Sequence, residues 1–126
     1  MKTKLTLTIL SVYNLLLGLI CMFFSEAMSK EFVNSSNPDV IQMGSIFHIG
    51  LGHAIFLVGL ILFFSKNSEY VTARKILLSY IIGISILFYI FFGVMANQPL
   101  VNFSPEHAIP DFIFFSLAIY GYIKAK

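Results

Sequence analysis

Long apolar stretches separated by short polar segments dominate the chain. Hydrophobic side chains run almost without interruption over about residues 5–24, 43–64, 76–96 and 108–123. A membrane-spanning helix needs about 20 consecutive apolar residues. The pattern therefore predicts an all-α, four-transmembrane-helix bundle that forms one integral membrane domain over residues 1–126. The predicted spans lie at about 5–24, 38–65, 70–96 and 105–124.

Helix start signals extend the second and fourth spans beyond their apolar cores. Asn37-Pro38-Asp39 and Ser104-Pro105-Glu106 each place a capping side chain before a proline and an acid. An Asn or Ser at the N-cap, a proline at the first helical position and an acid in the first turn all favour a helix beginning there. We therefore expect these two helices to begin at Pro38 and Pro105.

The first span allows two interpretations. Its basic start and the small residues around Ser25-Glu26-Ala27 resemble a cleavable signal peptide. However, an apolar stretch of about 20 residues exceeds the usual signal-peptide core of 7–15 residues. The length favours a retained membrane span.

Basic residues are distributed unevenly between the two sides of the predicted membrane domain. Seven of the eight Lys and Arg residues flank the spans on one side, and Lys30 alone lies on the other. Because cytoplasmic segments carry the excess of Lys and Arg, this bias predicts that both termini are cytoplasmic. We expect an integral protein of the bacterial plasma (inner) membrane. The seven are Lys2, Lys4, Lys66, Arg74, Lys75, Lys124 and Lys126.

Composition narrows the function classes. The chain is 58% hydrophobic and only 11% charged, with a net charge of +2, whereas soluble domains have about 25% charged residues. No basic stripe for nucleic acid is present. Cys21 is the single cysteine, so an intramolecular disulfide is excluded. The expected partners are the lipid bilayer, a second copy or a membrane complex, and a lipophilic small molecule.

Ionisable side chains within the predicted spans are candidate site residues, because such groups are costly in a bilayer. His107 and Asp111 share one helix face at i, i+4 spacing, and His48 lies at a similar depth on the second span. With Glu106, they are our candidates for a ligand-binding pocket in the outer leaflet. Structural hydrogen bonding and zinc binding are alternatives for this cluster. The spacing is too permissive to predict a metal site, and no cofactor is assigned.

Two further polar side chains lie near the middle of the bilayer. Asn14 in the first span and His53 in the second are at matching depths. A hydrogen bond between them would satisfy two groups that lipid cannot. We therefore predict a buried Asn14–His53 pair with a structural role, and a proton relay is the alternative.

Small residues recur along two of the spans at helical spacing. Such residues let membrane helices approach closely, so they predict helix-packing faces. These faces are Ser45, Gly52 and Gly59 on the second span, and Ser79 and Gly83 on the third.

The order of elements resembles the DoxX-like families of small four-helix bacterial membrane proteins. The points of similarity are the Asn14-Leu-Leu-Leu-Gly18 segment, an acid-bearing outer segment, a glycine-containing second span and an Ala73-Arg74 entry to the third. DoxX-like proteins have been linked to quinone-coupled oxidoreductase complexes. The chain carries none of the catalytic signatures that would transfer a residue role from that resemblance.

The sequence leaves two function classes open. The first is a non-enzymatic membrane protein that is accessory to a complex or binds a lipophilic ligand in the outer-leaflet polar pocket. The second is a redox or quinone-linked enzyme subunit that uses the outer His/Asp cluster. An enzyme requires His48, His107 and Asp111 to converge around an open cavity, and no catalytic residue can be assigned without that convergence.

Overall fold

The computed structural model describes residues 2–125 and is almost entirely helical. A π-helical turn at Ile90–Val94 and a 3₁₀ turn at Met95–Asn97 continue the fourth helix, and a 3₁₀ turn at Pro105–Ala108 precedes the fifth. The α-helices are α1 (Lys2–Phe23), α2 (Ser25–Phe32), α3 (Pro38–Ser65), α4 (Tyr70–Tyr89) and α5 (Ile109–Ile123).

Three helical stretches are long and apolar enough to cross a membrane. They are Lys2–Phe23, Pro38–Ser65 and Tyr70–Asn97, and each overlaps one predicted span. The all-α prediction is confirmed, and the three stretches indicate an integral membrane protein. The α-helical part of the predicted fourth span is shorter, at 15 residues.

The two proline-marked helix starts behave differently. The Asn37 side chain caps α3 by accepting from the Asp39 N–H at 2.9 Å, with Pro38 in the first turn, as predicted. After Ser104 the chain instead makes a 3₁₀ turn and becomes α-helical only at Ile109. Pro110 explains the difference, because its missing N–H cannot donate to the carbonyl of Glu106 four residues earlier.

The first helix is the centre of the bundle and meets α3 along a seam of glycines. A Cβ atom added at Gly18 would lie 2.7 Å from the Gly52 carbonyl oxygen, and one added at Gly59 would lie 2.8 Å from the Leu15 nitrogen. Only glycine permits such close approach of two helix backbones. We call this contact, formed by Gly18, Gly52 and Gly59, the glycine seam.

On its other side α1 packs against α4 and α5. The buried core there is formed by side chains from four helices. Consecutive helices α3 and α4 make few contacts with each other, so a groove opens between them with α1 as its floor. The core residues are Leu7, Leu10, Leu62, Ala73, Leu77, Tyr80 and Ala118.

The two ends of the bundle differ in their contacts: one is closed by a β-bridge and the other holds basic side chains. At one end a β-bridge joins Val33 to Val101, and the Asn102 N–H donates to the Phe32 carbonyl at 2.7 Å. At the other end the start of α1 lies beside the α3–α4 loop, and the Arg74 guanidinium sits 4.5 Å from the Tyr122 ring centroid. Lys4, Lys66 and Arg74 therefore lie together at this second end.

Candidate functional site

The best-defined polar contact inside the bundle joins Asn14 of α1 to Tyr80 of α4. The Asn14 amide nitrogen donates to the Leu10 carbonyl at 2.8 Å and to the Tyr80 hydroxyl oxygen at 3.2 Å. The two residues are only 6% and 8% exposed. Buried polar groups require partners, and here the two side chains supply one for each other.

Both side chains line the groove between α3 and α4. Its volume is about 390 Å³, within the range of about 300–1,000 Å³ typical of small-molecule sites. We call it the α3–α4 groove. Apart from Asn14, Ser79 and Tyr80, its lining is apolar or glycine: Ala54, Ile55, Val58, Ile61, Leu62, Ile76, Gly83 and Ile84.

Hydrogen-bonding capacity remains at the floor of this groove. A phenol oxygen that accepts a hydrogen bond still carries its own hydrogen, so Tyr80 retains a donor. Since the Leu10 carbonyl fixes the amide nitrogen of Asn14, the amide oxygen Oδ1 faces away from it and retains acceptor capacity. The groove therefore presents one donor and one acceptor in an apolar setting.

A second polar contact joins α1 to α5. The Tyr13 hydroxyl donates to Asp111 Oδ1 at 2.9 Å, and the Tyr13 ring stacks on Phe114 with centroids 3.7 Å apart. Within residues 2–125 the one salt bridge is between Lys30 and Glu26, so the Asp111 carboxyl has no cationic partner there. The Tyr13 hydroxyl, in the middle of α1, therefore supplies a hydrogen-bond partner for the Asp111 carboxyl.

The predicted outer cluster is divided among separate partners. His48 Nδ1 lies 2.8 Å from the Gly44 carbonyl oxygen of its own helix, whereas His107 Nδ1 accepts from the Ser104 N–H at 3.3 Å. Asp111 faces Tyr13, and Glu106 is exposed on the 3₁₀ turn. No group of three or more His, Cys, Asp or Glu residues in the described chain is arranged to hold a metal ion.

His48 alone among these four residues lines a groove near the bridged loops. This outer groove has a volume of about 490 Å³, and the His48 ring lies edge-on to Phe32 with centroids 5.7 Å apart. Its remaining lining is almost wholly apolar. The predicted outer-leaflet pocket also required Glu106, His107 and Asp111, and none of these lines the groove. The other lining residues are Val33, Asp39, Val40, Met43, Gly44, Phe47, Leu100 and Val101.

The predicted Asn14–His53 pair does not form. Asn14 bonds Tyr80 instead, and His53 is exposed on α3. Its neighbour Gly52 is the residue that faces α1, and consecutive helical residues point about 100° apart. Equal depth along two neighbouring helices is therefore not sufficient for contact, because His53 points away from Asn14.

The small residues divide into two groups. Gly52 and Gly59 lie in the glycine seam, and the Ser45 hydroxyl lies 2.9 Å from that of Ser25 on α2. On α4 the predicted packing face is open instead. A Cβ atom added at Gly83 would meet no atom within 4 Å, and the Ser79 hydroxyl donates to the Lys75 carbonyl of its own helix.

Sequence reasoning missed the roles of Tyr13 and Tyr80. Tyrosine is enriched at the membrane interfaces, where its amphipathic ring is favoured. Tyr13 and Tyr80 both lie near the middle of apolar helices. A phenol at that depth needs a partner, which is the signal that could have paired Tyr80 with Asn14.

The chain matches no family model, no curated protein and no solved structure. The DoxX-like relationship therefore stays a prediction.

Proposed function

We propose that this chain is a non-enzymatic integral membrane protein that binds a lipophilic ligand in the α3–α4 groove. The observation that carries the proposal is the Asn14–Tyr80 pair, which places unused hydrogen-bonding capacity at the floor of an apolar groove. Ligand sites commonly combine an apolar lining with a few placed polar groups. The proposal moves the predicted pocket from the outer leaflet to the interior of the bundle.

Four spans with both termini cytoplasmic form part of the proposal. The 3₁₀ turn at Pro105–Ala108 and α5 together extend about 30 Å, taking about 2.0 and 1.5 Å of rise per residue. That length matches the thickness of a bilayer core. Lys4, Lys66 and Arg74 lie at the end of the bundle where α1 begins and α5 ends, which supports a cytoplasmic position for that end.

A lipophilic ligand follows from the position of the groove. Its walls come from helices of membrane-spanning length, and its opening lies between α3 and α4, so entry is from the bilayer. None of its eleven lining residues is charged, and only Asn14, Ser79 and Tyr80 are polar, so the groove does not suit a strongly hydrated substrate.

The enzyme alternative has less support. It required His48, His107 and Asp111 around one cavity, and each has a separate partner. A role as an accessory subunit of a membrane complex is compatible with ligand binding and remains part of the proposal.

Photolabelling tests the proposed function. The probe is a hexadecyl chain that carries a photoactivatable diazirine, added to the purified protein in nanodiscs. We expect labelling of α4 between Ser79 and Ile84. Gly83→Leu should abolish it, because the new side chain projects into the groove without meeting a neighbouring atom within 4 Å of its Cβ.

Gly50→Leu is the matched control. A Cβ atom at Gly50 also meets nothing within 4 Å, but Gly50 is not among the groove residues. Labelling of Ser79–Ile84 should therefore persist in that variant. Labelling that is absent from this segment in the unaltered protein, or equal in both variants, contradicts the proposal.

A further inference from the structure

We propose that the ligand of the α3–α4 groove is an uncharged long-chain molecule whose head is a hydroxyl or an un-ionised carboxyl group. This inference rests on the proposed function and specifies the class of ligand. Tyr80 donates to the head oxygen, and the head donates to Asn14 Oδ1. One O–H group on the ligand can therefore form both of these hydrogen bonds.

The donor half of the site comes from Tyr80. Its hydroxyl oxygen accepts from Asn14 at 3.2 Å, so its own hydrogen is directed elsewhere. Tyr80 is 8% exposed and lines the groove. A buried donor without an acceptor costs free energy, and a ligand oxygen in the groove removes that cost.

The acceptor half comes from Asn14. Both hydrogens of its amide nitrogen are occupied, by the Leu10 carbonyl and the Tyr80 oxygen. Its Oδ1 atom can only accept, and the residue is 6% exposed. A ligand head that offers only an acceptor, such as an ester or ether oxygen, leaves Asn14 Oδ1 unfilled.

The lining of the groove sets the charge of the head. None of its residues is Lys, Arg, His, Asp or Glu. A charged head at this depth would be taken out of water without a counter-charge, which is costly in hydrocarbon. Phospholipid headgroups are excluded for that reason, and an alkane gains nothing from the polar pair.

Competition against the photoactivatable probe tests the ligand class. The competitors share one chain length: hexadecanol, hexadecyl methyl ether, hexadecane and hexadecyltrimethylammonium. The ether keeps the oxygen but cannot donate. We expect hexadecanol to reduce labelling of Ser79–Ile84 at a concentration about fivefold lower than the ether requires, since one neutral hydrogen bond is worth roughly that factor. Hexadecane and the cation should be weaker still.

Tyr80→Phe separates the hydrogen bonds from chain packing. The variant keeps the ring and removes the donor, so the advantage of hexadecanol over hexadecane should fall about threefold or more. Ser85→Ala is the control, because the Ser85 hydroxyl donates to the Ile81 carbonyl of its own helix and Ser85 is not among the groove residues. That variant should keep the full order of competitors.

The outcomes separate the two levels of the proposal. Equal competition by alcohol, ether and alkane in the unaltered protein overturns the ligand class while leaving groove binding intact, and this comparison needs no variant to fold. No labelling of Ser79–Ile84 overturns the proposed function itself. Probe-free cross-linking of two chains through this segment would show that a second copy fills the groove, which overturns both.

Discussion

The two flanks of α3 show opposite uses of small residues. Towards α1, added Cβ atoms at Gly52 and Gly59 would lie within 3 Å of atoms on the neighbouring helix. Towards α4, the small residues Ser79 and Gly83 meet an open groove. In the first region glycine brings two backbones together, and in the second it leaves space.

The difference shows what a pattern of small residues can predict. It indicates a helix face without bulky side chains, but it does not identify whether another helix or a ligand covers that face. Lipid offers little hydrophobic driving force for helices to close a gap between them. The glycine seam closes because its backbones fit along several turns. The α3–α4 groove stays open because α4 is held by α1 and α5 on its other side.

The largest effect is expected when the glycine seam is broken. Gly52→Leu would place atoms where the Gly18 carbonyl and Cys21 already lie, 2.7 and 2.8 Å from the first added carbon. Because both helix backbones are involved, we expect a loss of about 3 kcal/mol in the free energy of unfolding. Reversible unfolding in mixed micelles measures it.

Gly50→Leu sharpens this comparison within the same helix. Its added side chain meets open space, so the change should be within about 0.5 kcal/mol. Equal losses in the two variants would show that leucine perturbs α3 wherever it is placed and that the seam is not the cause.

A smaller effect is expected at the contact between α1 and α5. Tyr13→Phe keeps the stacking on Phe114 but removes the donor to Asp111. We expect a loss of about 1 kcal/mol, since hydrogen bonds between membrane helices are modest. Asp111→Asn retains an oxygen that can accept from Tyr13, so the same unfolding measurement should show a smaller loss. A larger loss in Asp111→Asn would contradict this role for Tyr13.

The smallest effect lies outside both regions, on α2. The Lys30 ammonium, 2.6 Å from the carboxylate, lowers the pKa of Glu26 through a hydrogen bond and its charge. A lowered pKa in the folded protein stabilises it above the ordinary pKa of the group, and that stability is lost as the pH falls through the lowered value. The pair is exposed, so the effect is slight.

NMR titration of the Glu26 carboxyl checks this prediction. Lys30→Ala should return its pKa towards the ordinary value, and Lys30→Arg should keep it low. An unchanged pKa in Lys30→Ala would assign the shift to another source.

Local signals predicted the helices well. The bounds of α1 and α3 and the Asn37 cap follow from hydrophobicity and capping chemistry, which act over a few residues. Pro110 is also a local signal, and it explains why α5 becomes α-helical only at Ile109 and not at Pro105 as predicted. The four-span topology stays a prediction beyond the three stretches of membrane length.

The candidate site was harder to predict because it depends on which way each helix faces. Depth along a span can be counted from the sequence, and it suggested His53 as the partner of Asn14. Rotation about the helix axis decides the actual contact, and Tyr80 faces Asn14. The separation of His48, His107 and Asp111 has the same origin.

The π-helical turn at Ile90–Val94 carries a consequence for how this chain can vary in length. Its ladder includes a bond from the Met95 N–H to the Ile90 carbonyl, five residues back, so the turn holds one residue more than an α-helix would. Deleting a single residue there would restore regular α-helical winding and leave the residues beyond it close to their present rotation, because the wide turn already absorbs the extra residue. The bridge between Val33 and Val101 would then keep its alignment, so homologues with an ordinary α4 should be one residue shorter within that helix and keep the length of the segment that leads to this bridge.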